Sequence, residues 1–175
     1  MDCDSLSNGY ETAFRQVIRE YQLPLKRFVR FFLKNSDDVD DIVHDAFFML
    51  WKQVVVKKKK VENIQAFLYK IARNRAIDYL RKEKVRNLFS FSQRHTTDSD
   101  TPLDALYSTE AESILHNALN QLSMKDREIL ALIYFDDMKM HEAADILNIS
   151  HEAVSSRIRR ARENLKNQLP EAFYN

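Results

Sequence analysis

The side chains best suited to chemistry lie close together near the C-terminus. From Met140 to Leu165 the chain reads MHEAADILNISHEAVSSRIRRARENL. In its second half Glu152, Ser155, Ser156 and Arg159 share or adjoin one side of a helical repeat, with His151 at its start. Val154, Ile158, Ala161 and Leu165 recur at i, i+4, i+7 and i+11 on the other side. Hydroxyl, carboxylate and guanidinium groups on one open face can hydrogen-bond base edges and neutralise phosphates. A shorter amphipathic stretch, His141–Leu147, comes first, and Asn148-Ile149-Ser150 separates the two. Asn tolerates the left-handed backbone that such a turn requires, and Ser150 can cap the helix that follows. This spacing predicts a helix-turn-helix whose second helix enters the major groove. An ordinary helical hairpin with an arginine-rich end is the plainer alternative.

Two further constellations lie upstream. On a helix expected over Asn63–Lys84, residues Lys70, Arg73, Asn74, Ile77, Arg81 and Lys84 share one face. Five of the six are hydrogen-bond donors, opposite an apolar stripe that begins at Ile64. The run Lys57–Lys60 just before it favours nucleic acid over a merely solvated basic face. On a helix expected over Asp37–Trp51, Asp38, Asp41, Asp45 and Phe48 fall at i, i+3, i+7 and i+10. DNA repels such a stripe, whereas a basic or amphipathic helix of a protein partner suits it. Compensation of the helix dipole covers Asp38 but neither Asp45 nor an exposed Phe48.

These elements need a scaffold, and the composition supplies one. Among 175 residues there are one Gly and three Pro, so helix is the default state. An all-α fold is expected: two small helical domains joined by a flexible linker, with the helix-turn-helix in the second. Tyr10, Phe14, Val17, Ile18 and Tyr21 open the first helix, Pro24 kinks or restarts it, and Leu25, Phe28, Val29 and Phe32 continue its apolar face. Ser36 is a candidate cap for the second helix. The first domain is assigned to residues 1–86, the linker to 87–110 and the second domain to 111–175. The linker is rich in Ser, Thr and Asp and holds Pro102; extended, it reaches about 75–80 Å. In the second domain Ile114, Leu115, Ala118, Leu119 and Leu122 make one helix, and Ser123-Met124-Lys125-Asp126 resembles a capping box that opens another.

Charge is segregated along the chain. The net charge is +1, yet residues 1–90 carry 18 Lys/Arg against 12 Asp/Glu, and residues 91–120 carry one Arg against five acids. The single Cys3 forms no internal disulfide, and neither an export signal nor a membrane-spanning run is seen, so a cytoplasmic location without membrane insertion is expected. His44, His95, His116, His141 and His151 share no ligand spacing. No metal, no cofactor, no small-molecule substrate and no catalytic constellation is expected, and hence no enzyme.

Taken together, the motifs resemble the extracytoplasmic-function group of bacterial RNA polymerase sigma factors. The stretch from Asp40 to Trp51 looks like that group's polymerase-binding helix. The stretch from Phe67 to Arg81 looks like its downstream promoter-reading helix. Leu122–Glu128 and the helix-turn-helix look like its upstream promoter-reading domain. The departures are His44, where Gln is usual, Phe67, where Trp is frequent, and Asn148, where Gly is frequent. The resemblance implies two partners, core RNA polymerase and promoter DNA. It places Asp38, Asp41, His44, Asp45 and Phe48 on the polymerase. It places Lys57, Lys58, Lys59, Lys60, Asn63, Lys70, Arg73, Asn74, Ile77 and Arg81 on the −10 element. His151, Glu152, Ser155, Ser156 and Arg159 fall on the −35 element, with Arg157, Arg160 and Arg162 on phosphates. The linker's Asp98, Asp100 and Asp104 would lie in the RNA path. An anti-sigma factor, frequently membrane-anchored in that group, is a further implied partner. Two alternatives are a free-standing helix-turn-helix regulator, dimeric on a palindrome, and a helical adaptor that binds only protein.

Overall fold

The structure is a computed structural model that describes residues 3–33, 36–89 and 110–173. The described residues form helices and turns, with no strand among them. They divide into two compact units, and the main break falls between Leu80 and Arg81.

The first unit is built on α1 (Cys3–Arg30), α2 (Ser36–Trp51) and α3 (Ile64–Phe89) as far as Leu80. The helix does not restart at Pro24, and α1 runs through it. The reason lies in register. Phe14, Val17, Ile18 and Tyr21 before the proline, and Leu25, Phe28 and Val29 after it, belong to one unbroken stripe. Burial of Leu25, Phe28 and Val29 outweighs the one backbone hydrogen bond that proline cannot donate. Against this stripe α2 buries Val39, Ile42, Val43, Ala46, Phe47 and Leu50. Phe14 meets Phe47 and Trp51 edge-on, with centroids 6.4 and 5.0 Å away. Lys26 Nζ and Asp40 Oδ1 pair at 2.8 Å.

Helix α3 starts where Asn63 Oδ1 accepts the Ala66 N–H at 2.8 Å. It buries Leu68, Tyr69, Ala72 and Ala76, and Tyr69 stacks obliquely on Phe28 at 4.9 Å. Two polar ties bind α3 to α2. Tyr79 Oη donates to Asp38 Oδ2 at 2.7 Å, and Arg75 Nε lies 3.4 Å from Asp45 Oδ2. The helix also outlasts its expected end near Lys84, because nothing from Val85 to Phe89 breaks it. Asn87–Phe89, assigned to the linker by sequence, are helical. The rest of that segment through Thr109 lies outside the described residues.

The second unit comprises α4 (Glu110–Gln121), α5 (Met124–Leu130), α6 (Met140–Leu147) and α7 (His151–Gln168), followed by a 3₁₀ turn at Glu171–Phe173. Of the expected capping box the N-cap half is present, while the Asp126 carboxylate bonds the Ser123 hydroxyl and not its backbone N–H. Asp126 N–H donates to Ser123 Oγ at 3.2 Å, and Ser123 Oγ donates to Asp126 Oδ2 at 2.8 Å. Ala118, Leu119 and Leu122 are buried, as are Ile129, Leu130 and Leu132, and Val154 and Ala161 from α7.

One local device occurs twice. Both α2 and α5 widen into a π-helical turn, Lys52–Val56 and Ala131–Phe135. Each turn closes with the same pair of hydrogen bonds. Lys57 N–H donates to the Lys52 carbonyl and Lys59 N–H to that of Gln53; Asp136 N–H donates to that of Ala131 and Met138 N–H to that of Leu132. The residue between each pair of donors is left-handed, Lys58 at φ 51° and Asp137 at φ 52°. Neither is glycine, so each carries a steric cost of about 1–2 kcal/mol, which glycine would relieve at an entropic cost of roughly 0.5–1 kcal/mol. Asp137→Gly should therefore raise the thermal midpoint by a few degrees, whereas Asp137→Val should lower it, as read by circular dichroism. Tyr79→Phe, which strips the bond to Asp38, should cost about 1–2 kcal/mol in urea denaturation.

Candidate nucleic-acid and partner surfaces

The helix-turn-helix is built from its turn outward. Asn148 ends α6 in the left-handed region (φ 54°, ψ 51°), with its N–H donating to the Ala144 carbonyl. Ile149 N–H reaches the same carbonyl at 3.1 Å. Ser150 is extended, and its Oγ accepts the Ala153 N–H at 3.2 Å. At the other end of α6, Lys139 N–H donates to Glu142 Oε2 at 3.0 Å. Both helix starts of the motif are thus held by side-chain to backbone hydrogen bonds, the Ser150 cap defining where α7 begins.

That face is open. His151, Glu152, Ser155, Ser156, Arg159 and Arg162 are all exposed, while Val154 and Ala161 are fully buried. The Glu152 carboxyl is held below its ordinary pKa, first by its own backbone N–H, then by the Ser150 hydroxyl and the nearby His151. An anionic Glu152 among free N–H groups suits the positive end of the helix. Arg159 lies 3.9 Å from Glu163, with both side chains mostly in solvent. Such a pair holds little energy and leaves the guanidinium available.

Two of the arginines expected on phosphates also approach α5. Arg157 turns to α5, where its Nη1 donates to Glu128 Oε1 at 3.3 Å, and its side chain is only 17% exposed. Arg160 lies 3.7 Å from Asp126 Oδ1 but remains 60% exposed. Helical geometry accounts for the difference: Arg157 and Arg160 occupy the flank of α7 beside α5, whereas Arg159 and Arg162 occupy its outer side. By sequence Asp126 has a capping role and Glu128 lies in a motif, but neither is paired with α7, and Asn164 has no role. The signal was present, since Arg157, Arg160 and Asn164 recur at i, i+3 and i+7.

On α3, Lys70, Asn74, Arg81 and Lys84 are exposed, and Arg73 and Ile77 are half-buried. The six stay on one face, away from buried Leu68, Ala72 and Ala76. Lys57, Lys58, Lys59 and Lys60 are all exposed just upstream. Asn63 is exposed, and its carboxamide oxygen caps α3.

On α2, Asp41, His44 and Phe48 are exposed, with Phe48 at 61%. Asp38 and Asp45 sit at the edge of this strip and already hold Tyr79 and Arg75. The outward part thus holds the carboxylates of Asp41 and, beside Arg75, Asp45, with one imidazole and one phenyl ring. Among the described residues no group of His, Cys, Asp and Glu could hold a metal, and no helix is long and apolar enough to cross a membrane.

This arrangement has counterparts among known proteins. The family described as Sigma-70 region 2 matches residues 17–86, and Sigma-70, region 4 matches residues 118–167. The RNA polymerase sigma factor NccH of Alcaligenes xylosoxydans xylosoxydans is 30% identical, across 91% of this chain and 88% of that protein. The ECF RNA polymerase sigma factor SigW of Bacillus subtilis (strain 168) is 28% identical, across 94% and 92%. Among solved structures, the sigma factor RpoE in complex with the anti-sigma factor NepR from Bartonella quintana superposes with a TM-score of 0.73 at 25% identity, covering 89% of this chain and 96% of that one. The chain belongs to the RNA polymerase sigma factors, in the extracytoplasmic-function (ECF) group.

The cap on α7 has a measurable weight. Ser150→Ala should cost about 1 kcal/mol, seen as a lower thermal midpoint.

Proposed function

We propose that this chain binds core RNA polymerase and carries it to promoters, with each helical unit touching its own stretch of DNA. The observation that carries this reading is the separation of surfaces. One helix in each unit keeps a polar, donor-rich face in solvent, and a third surface of mixed acidic and aromatic character lies on α2.

In this reading the first domain, residues 1–86, docks on the polymerase through Asp41, His44 and Phe48. Asp38 and Asp45 support the strip while tying α2 to α3. The lysines at 57–60 and the α3 face of Lys70, Arg73, Asn74, Ile77 and Arg81 meet the −10 element. Extruding a base there costs a few kcal/mol, and phosphate contacts from the lysines offset part of it. Asn63 contributes by fixing the start of α3. The second domain, residues 111–175, sets α7 in the major groove of the −35 element. His151, Glu152, Ser155, Ser156 and Arg159 face bases, and Arg162 and Arg160 face phosphates. Residues 87–110 connect the two, and their acidic side chains occupy the RNA path. The protein works in the cytoplasm and performs no catalysis of its own, since bond formation belongs to the polymerase. An anti-sigma factor that covers the DNA-facing surfaces is the natural regulator; the solved relative from Bartonella quintana is itself held by one.

Co-purification with core polymerase, followed by run-off transcription from a genomic library, tests the proposal. The parent chain should associate and yield discrete transcripts. Asp41→Lys combined with Phe48→Ala should abolish association while leaving the circular dichroism spectrum intact. Retention of the double variant on polymerase would show that α2 is not the docking surface. An isolated chain that binds a palindrome tightly without polymerase would instead favour a free-standing regulator.

A further inference from the structure

The interface between α5 and α7 holds two carboxylates that the proposed function leaves unused. Asp126 and Glu128 are 3% and 1% exposed. Burying two carboxylates carries a large desolvation cost, so each needs donors fixed against it. Three side chains on one flank of α7 reach across to them, two by hydrogen bonds and one by a longer ion pair. Arg157 Nη1 reaches Glu128 Oε1 at 3.3 Å, Asn164 Nδ2 reaches Asp126 Oδ2 at 3.0 Å, and Arg160 Nε lies 3.7 Å from Asp126 Oδ1. Asp126 is fixed in turn by Ser123, which caps α5.

The geometry has a directional consequence. Apolar contacts at Val154 and Ala161 attract α7 to the core but tolerate small rotations and slides. Charge-assisted hydrogen bonds tolerate much less, because their energy falls steeply with angle and distance. Contacts at 157, 160 and 164 span two turns, so they set both the rotation of α7 about its axis and its slide along it. Ser155, Ser156 and Arg159 lie within the same stretch, and their aim at base edges follows from those two settings.

We infer that Asp126 and Glu128 are positioning residues for duplex reading, acting through Arg157 and Asn164, and that Arg157 serves the protein rather than a phosphate. The inference rests on the proposed entry of α7 into the major groove. A phosphate contact and a positioning contact differ in what they do to binding. Loss of a phosphate contact weakens all sequences alike and reduces the salt dependence by about one. Loss of aim leaves the salt dependence in place and erodes the preference for one sequence over another.

The test uses the full chain assembled with core polymerase. A duplex selected by that holoenzyme from a random-sequence pool is compared with a scrambled duplex of equal length across a salt series. Arg157→Gln should keep the slope of log K against log salt and lower the selected-to-scrambled ratio about tenfold. Arg162→Gln, on the outer side, should do the reverse: reduce the slope by about one and keep the ratio. Glu128→Gln, which can still accept from Arg157, should lose less discrimination than Glu128→Ala. Should Arg157→Gln fail to fold, Asn164→Leu removes an anchoring amide without leaving a cavity and should show the same pattern. If Arg157→Gln reduces the slope as Arg162→Gln does, Arg157 touches phosphate and the inference is overturned. It is equally overturned if the ratio is unchanged while the melting temperature drops, for then the network serves stability alone. If Arg159→Ala alters neither slope nor ratio, the placement of α7 in the groove is itself wrong, and that failure is distinct from the other two.

Discussion

A helix that reads DNA has to be held by less than half of its surface. Whatever fixes it must act from one side, since the other side belongs to the duplex. In the proposed function α7 and α3 are such helices, and much of the molecule is consistent with that constraint. Helix α7 gives Val154 and Ala161 wholly to the core, and its outer residues remain in solvent. Helix α3 gives Leu68, Tyr69, Ala72 and Ala76, and keeps Lys70, Asn74 and Arg81 outside. Narrow apolar contact leaves orientation loosely specified, and in both helices directional polar contacts stand at the margin of the apolar stripe. For α3 these are Tyr79 to Asp38 and Arg75 to Asp45; for α7 they are Arg157 to Glu128 and Asn164 to Asp126.

The same constraint explains why the neighbouring helices carry acids. Helices α2 and α5 each supply carboxylates to a cationic helix beside them. On α2 Asp38 bonds Tyr79 of α3, while Asp45, paired with Arg75 of α3, stays exposed with Asp41, His44 and Phe48. One surface strip thus combines intramolecular support with residues left for a partner. On α5 the acids are buried entirely. Both helices then widen into π turns and close through a left-handed residue, so the two units share a construction although their sequences there differ.

Much of this was legible in the sequence. Apolar periodicity located the helices, because burial of a stripe at 3.6-residue spacing is the main term that holds them. The turn at Asn148 and the cap at Ser150 were readable because few residues meet those backbone demands. What escaped notice depended on tertiary neighbours. Pro24 signals a break locally, yet the stripe on either side stays in register and the core overrides the signal. Lys58 and Asp137 hold left-handed positions that usually announce themselves through glycine. Arg157 looked like its neighbours Arg159 and Arg160, since composition cannot say which flank of a helix meets a carboxylate. Asn63 likewise looked like part of a polar loop, although an Asn placed three residues before the Ala66 amide is an ordinary helix cap.

The capping of α7 separates grip from vocabulary. Ser150 closes the end of the helix and the flank facing α5 anchors its length, yet neither uses Ser155, Ser156 or Arg159. Those three positions can change without loosening the scaffold. If those positions read bases as proposed, descendants of this chain could acquire new target sequences by a handful of outward substitutions while inheriting the same mounting.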